Sequence, residues 1–87
     1  MDSSTDRDVT QPTLRLHRVR PEKNERRFYA MAVTQDLFGN AFLLRNWGRI
    51  GTGGRLRWDP CPNLTAAAAS LRDLARRKRR RGYQDLW

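Results

Sequence analysis

The chain has 87 residues, a net charge of +9 and a hydrophobic fraction of 38%, enough for one modest core and not for two. No apolar run approaches the roughly 20 residues that span a bilayer. The N-terminus lacks the basic and apolar regions of a secretory leader, and the lone Cys61 has no partner for an intramolecular disulfide. The expectation is a soluble cytoplasmic monomer.

Residues 1–12 are polar, acidic-leaning and without periodicity, which predicts a disordered tail. Residues 13–87 then form a single domain. Thr13 to Arg20 sets Leu14, Leu16 and Val19 among basic residues and reads as a first strand. Pro21 to Glu25 is a turn by composition. Arg27 to Gln35 is an apolar, aromatic run whose alternation puts Tyr29, Met31 and Val33 on one face. Phe38-Gly39-Asn40 supplies a hairpin connection in which Gly39 or Asn40 takes positive φ. Ala41 to Ile50 is the partner strand, and Gly51-Thr52-Gly53-Gly54 is a second turn leading into a short strand from Arg55 to Asp59. The prolines of Asp59-Pro60-Cys61-Pro62 interrupt the ladder. A helix follows, capped by Thr65 or Asn63, with Ala68, Leu71, Leu74, Ala75 and Lys78 on the stripe toward the sheet. Gly82 ends it in a left-handed cap, and Tyr83 and Trp87 pack the C-terminus back. The fold class is therefore α+β: an antiparallel sheet of three to four strands with one C-terminal helix packed on it.

The charge is uneven. Residues 1–40 carry seven basic and six acidic groups, residues 41–87 eleven and three. A positive field on half of a small domain points to an anionic partner, most often a phosphate backbone. Within Ala41 to Ile50, the parity of Phe42, Leu44 and Ile50 suits a core face, which leaves Arg45, Trp47 and Arg49 with Leu43 on the other. A tryptophan between two arginines can stack on a base or sugar while the guanidinium groups hold phosphates. Gly48 leaves the backbone bare for close approach. The competing reading packs Trp47 into a second small core with arginine stems laid across it.

These residues carry a family resemblance. Trp47-Gly48-Arg49-Ile50-Gly51-Thr52-Gly53-Gly54 resembles the signature of the WGR domain, with Phe28-Tyr29 opening a strand upstream, an alanine-started helix, and Lys78 with Gly82-Tyr83 closing it. The resemblance covers roughly Leu14 to Tyr83. It implies an antiparallel sheet with a helix on one face, and a module that in poly(ADP-ribose) polymerases contacts DNA near breaks and relays that state to a catalytic domain. The motif's Trp and Arg touch nucleic acid there, which implies the same for Trp47 and Arg49. This chain has no room for a catalytic domain, so the relay is not implied.

Arg76 to Arg81 are consecutive cations, Lys78 among them, at the helix C-terminus, where the dipole compensates part of their crowding. Lys78 reads as a snorkelling residue over the core edge. Arg77 and Arg81 share one helix face, Arg76 and Arg80 another, and one of these pairs extends the phosphate-binding surface; a solvated helix face is the alternative. Arg55 and Arg57 add charge. An enzyme is not expected: His17 has no nucleophile placed beside it, Asp36, Asp59 and Asp73 are scattered, and Cys61 has no second cysteine for zinc. Gly51 to Gly54 lacks the Lys-Ser/Thr of a phosphate loop. No metal or cofactor is expected. The chain is thus read as a nucleic-acid-binding module, for DNA rather than RNA and without sequence specificity, through Arg45, Trp47, Gly48, Arg49, Arg55, Arg57, Arg77, Lys78 and Arg81. The alternative is a protein-interaction adaptor anchored by Trp47, for which an acidic protein would be the partner.

Overall fold

The computed structural model describes residues 13–86, so the expected N-terminal tail and the packing of Trp87 lie outside the described residues. Strand β1 (Thr13–Arg20) is followed by a 3-10 turn (Pro21–Lys23), then β2 (Glu25–Gln35), β3 (Ala41–Arg49), β4 (Arg55–Cys61), helix α1 (Leu64–Arg80) and the short β5 (Gln84–Asp85). The strands form one antiparallel sheet in the order β4-β3-β2-β1-β5. The α+β arrangement is the expected one, with β5 as an additional edge strand. Two residues have no periodicity to read. Their place is held by pairing with β1 and by Asp85, whose carboxylate takes 2.8 Å hydrogen bonds from Nε and Nη2 of Arg79. Among the described residues no helix is long and apolar enough to cross a membrane.

The β2–β3 hairpin fixes which residues of the two strands lie opposite one another. Its tip is closed by the Asp36 carboxylate, which accepts from the Phe38 and Asn40 backbone N–H groups and the Asn40 side chain, each at 2.9 Å, while Gly39 takes φ +84°. That geometry pairs Gln35 with Ala41, so odd-numbered residues of β2 face odd-numbered residues of β3: Val33 with Leu43, Met31 with Arg45, Tyr29 with Trp47. Tyr29, Met31 and Val33 are buried, as their alternation predicts.

The face of β3 is the reverse of the expected one. Ala41 and Leu43 are buried beneath the helix, and Trp47 packs against the same core, whereas Phe42 and Leu44 point to the other side of the sheet. Counting apolar residues by parity misleads here because the outward face is itself apolar. The strand also ends at Arg49, so Ile50 is not part of it. Pro60 lies inside β4 because β4 is the sheet edge, where a missing N–H donor costs no ladder bond on the open side.

Helix α1 begins at Asn63, whose side chain accepts from the Ala66 N–H at 2.8 Å. It buries Ala67, Leu71 and Ala75 against Leu16, Tyr29, Met31, Val33 and Leu43, with Ala68 and Leu74 partly covered. Its last turn closes as a Schellman motif: Gly82 takes φ +93°, the Gly82 N–H reaches the Arg79 carbonyl at 3.0 Å and the Tyr83 N–H reaches the Lys78 carbonyl at 3.1 Å. The guanidinium of Arg18, on β1, then caps the Arg81 carbonyl at 2.8 Å and ties the helix end to the sheet.

Candidate nucleic-acid interface

At the end of the sheet opposite the hairpin tip, the β1–β2 turn and the β3–β4 turn stand side by side and enclose an open cleft of about 700 Å³. Trp47 and Gly48 form part of its wall from β3, with Arg49 and Arg55 beside them. The other wall comes from β1, the turn and β2, and carries Arg20, Lys23, Arg26 and Arg27. Among the described residues, Glu25 is the only carboxylate lining it.

Trp47 is half-buried. Its ring lies nearly parallel to that of Tyr29, centroids 5.7 Å apart and planes 14° from each other, an arrangement worth about 0.5–1.5 kcal/mol beyond the buried area. Tyr29 is itself fixed. Its hydroxyl accepts from Arg45 Nη1 at 3.2 Å, the Tyr83 ring meets it edge-on, and Lys78 Nζ sits 4.3 Å from its ring centroid. The two readings of Trp47 are thus combined: part of the indole is core, and the remainder is cleft wall held in one orientation by the core behind it.

Gly48 and Gly54 explain the shape of the β3–β4 turn. A Cβ on Gly48 would come within 2.8 Å of the Gly54 Cα, and a Cβ on Gly54 would come within 2.3 Å of the Trp47 carbonyl oxygen and 2.8 Å of the Phe28 ring. Gly54 also has φ +68°. The glycine after Trp47 therefore makes room for the protein's own backbone. The returning turn is pinned by Asn46, whose side-chain nitrogen donates to the carbonyls of Gly53 and Arg55 at 2.9 and 2.8 Å, and by the Ile50 N–H on the Arg26 carbonyl at 2.9 Å.

The cations are held apart from one another by few partners. Arg27 and Arg49 are directly opposite in the β2–β3 register, a like-charge pair that works against the sheet. Arg49 donates to the Asn24 carbonyl at 3.3 Å, and Asn24 takes the left-handed conformation at φ +51° that closes the turn. Glu25 is shared among Arg18 at 2.7 Å, Arg27 at 3.3 Å and Arg20 at 3.7 Å. The hydrogen bond from Arg18 is the main cause that holds its carboxyl below the usual carboxylate range, so it stays ionised and offsets part of the field. The net result is a predominantly cationic cleft with an aromatic wall.

Of the residues expected from sequence, Trp47, Gly48, Arg49 and Arg55 meet in this cleft, and the others do not. Arg45 is half-buried on the helix side of the sheet, paired to Asp59 at 2.6 Å. Arg57 shares that carboxylate at 2.8 Å, and Arg77 is paired to Asp73 one helical turn away. Lys78 lies over the Tyr29 and Tyr83 rings, where burial and then the charges of Arg81 and Arg18 depress its pKa. Arg81 contributes its carbonyl to Arg18 and none of the cleft lining. The cleft cations not expected are Arg20, Lys23, Arg26 and Arg27. Splitting the charge at residue 40 hid them, because Asp2, Asp6 and Asp8 cancelled their sum; a window over residues 18–27 shows the cluster. Among the described residues no group of His, Cys, Asp and Glu could hold a metal ion.

The model of the WGR domain family matches residues 13–86. A relative, the uncharacterized protein y4dW of Sinorhizobium fredii (strain NBRC 101917 / NGR234), is 41% identical over 83 residues, which covers 94% of this chain and 41% of the relative. The chain thus spans less than half the length of that relative. No solved structure gives a significant match.

Proposed function

The chain belongs to the WGR domain family, and from that premise we propose that it is a single, non-catalytic module that binds nucleic acid, DNA in preference to RNA, through backbone and ends rather than base sequence. WGR domains serve as nucleic-acid-binding modules in poly(ADP-ribose) polymerases and related proteins. The observation that carries the reading is the cleft: a rigidly backed tryptophan among Arg20, Lys23, Arg27, Arg49 and Arg55, with one opposing carboxylate.

The division of labour follows from the geometry. Tyr29 fixes the plane of Trp47, so a sugar or base meets a preset surface; such stacking contributes on the order of 1–3 kcal/mol per base. The surrounding guanidinium groups take phosphate oxygens, in pairs where the phosphate allows it. Their contribution is electrostatic and carries no base information. Contacts to phosphates and stacking on Trp47 read no base edges, which fits binding that is indifferent to sequence. Arg45, Arg57, Arg77, Lys78 and Arg81 act through the fold and the general field.

The test is a fluorescence titration with labelled blunt duplex, nicked duplex, single-stranded DNA and RNA at two salt concentrations, beside Trp47→Ala and Arg49→Ala. Salt-sensitive binding weakened in both variants is the expected result. Equal weak binding to every oligomer, unmoved by either variant, would overturn the reading and leave a Trp47-anchored protein partner to be sought.

A further inference from the structure

Among the described residues, helix α1 covers one face of the sheet and no element covers the other. Where one face of an antiparallel sheet meets water, that face is ordinarily polar; this one is not. Trp58 is 51% exposed and stands edge-on to Phe42 with ring centroids 5.4 Å apart, and Leu56 is 61% exposed. No strand position of this face carries a carboxylate among the described residues. A contiguous apolar surface of this kind marks an interaction site.

The face is divided lengthwise by size. Its bulky half is on β3 and β4, with Phe42, Leu44, Leu56 and Trp58. Its small half is the stretch of β2 at Ala30 and Ala32, beyond the buried Phe28. Along the register, Ala32 lies across from Leu44, Leu44 from Trp58, and Thr34 from Phe42. A two-fold axis running along the strands between β2 and β3 would lay each copy's β3 over the other copy's β2. Leu44 then faces Ala32 and Phe42 faces Thr34, large over small in both directions. Arg15 on β1, whose guanidinium already lies 4.3 Å from the Phe28 ring centroid, comes over the Leu56–Trp58 ridge of the second copy. Asn46, the polar residue near the middle, has already donated its side-chain N–H groups to the Gly53 and Arg55 carbonyls, so covering it leaves no orphan donor.

We propose that this face is the contact between two copies of the chain. Sheets stacked this way sit about 10 Å apart with their strands roughly aligned. A patch of roughly 20 by 20 Å per copy, from strand spacing and rise, buries about 800 Å² in all and falls below the range of stable interfaces, so the pair is weak, transient and concentration-dependent. Each copy carries +9, so salt screens the repulsion and strengthens the pair, opposite in sign to its effect on nucleic-acid binding. The axis along the strands leaves both clefts open at the same end, side by side.

The test is sedimentation velocity on nuclease-treated protein, from micromolar to millimolar concentration at low and high salt. The variants are Trp58→Thr, which removes the ridge, and Ala32→Leu, which sets large against large; Arg49→Ala is the cleft control, and circular dichroism checks that each is folded. The expected result is a rise from 10.2 kDa toward twice that mass, stronger at high salt, at least about tenfold weaker in both face variants and unchanged in the control. A monomer at every concentration overturns the proposal and assigns the face to a different chain. Association that survives both face variants, or that salt weakens, overturns it equally. With no nucleic acid in the assay, its failure would leave the reading of the cleft untouched.

Discussion

Arg27 and Arg77 separate the cleft from the rest of the basic surface. Arg27 lines the cleft, opposite Arg49 in the sheet register; Arg77 is on the exposed helix face, paired with Asp73. Both side chains are more than half exposed, so Ala at either position changes little packing. A phosphate contact contributes a slope of about 0.9 in log K against log salt on duplex DNA, which at 0.1 M salt amounts to roughly eightfold in affinity. Arg27→Ala is therefore expected to weaken binding about eightfold at 0.1 M and to flatten the slope by nearly one unit. Its melting temperature should hold or rise, because the like-charge pair across the β2–β3 ladder is relieved. Arg77→Ala should leave the slope unchanged. Titrations at four or more salt concentrations and a thermal melt read both quantities. If Arg77→Ala loses as much slope as Arg27→Ala, the protein presents an undifferentiated cationic surface, and the argument from the cleft is wrong.

Gly54→Ala should cost roughly 2–3 kcal/mol in urea unfolding through strain and backbone collision, whereas Gly51→Ala, also at positive φ but with nothing within 4 Å, should cost only about 1 kcal/mol; equal losses would remove the close backbone approach as the cause. Leu71→Ala, under α1, should lose about 2–5 kcal/mol, and a smaller loss would mean the helix is docked less firmly than its burial indicates. His17 accepts a hydrogen bond from Arg15 Nε at 3.0 Å, and desolvation, then Arg15 and Arg26, lower its pKa below 6.5. The unfolded chain thus takes up this proton first, so stability falls as pH drops from about 6.5 toward the depressed native value. Chemical denaturation of wild type and His17→Gln across that window should show the fall only in wild type.

Much of this fold is legible in the residues. The aromatic run of β2, the hairpin glycine, the apolar stripe of α1 and the Gly82 cap each obey a local rule that tertiary packing did not override. What was not legible depended on pairing. The core face of β3 follows from odd residues meeting odd residues across the Asp36–Asn40 loop, and apolar parity alone chose Phe42 and Leu44 because both faces carry large side chains. The basic half of the cleft required two turns distant in sequence to stand at one end of the sheet. Arg45 and Arg57 looked like site residues because alternation shows direction and not partners; Asp59, which pairs with both, is remote in sequence from Arg45.

The crossing of Gly48 and Gly54 separates two kinds of constraint within one short motif. In a library with every position varied and sorted only for folded protein, positions 48 and 54 would already be depleted of side chains, while 49 and 55 would drift freely. A second sort for nucleic-acid binding would then restore arginine at 49 and 55 and leave the glycine frequencies unchanged. Position 47 should respond to both sorts, since its indole is shared between the core and the cleft. If the proposed cleft binds nucleic acid, the three letters that name the family divide the work: an aromatic shared between folding and binding, a glycine for the crossing of the backbone, and an arginine chiefly for the ligand.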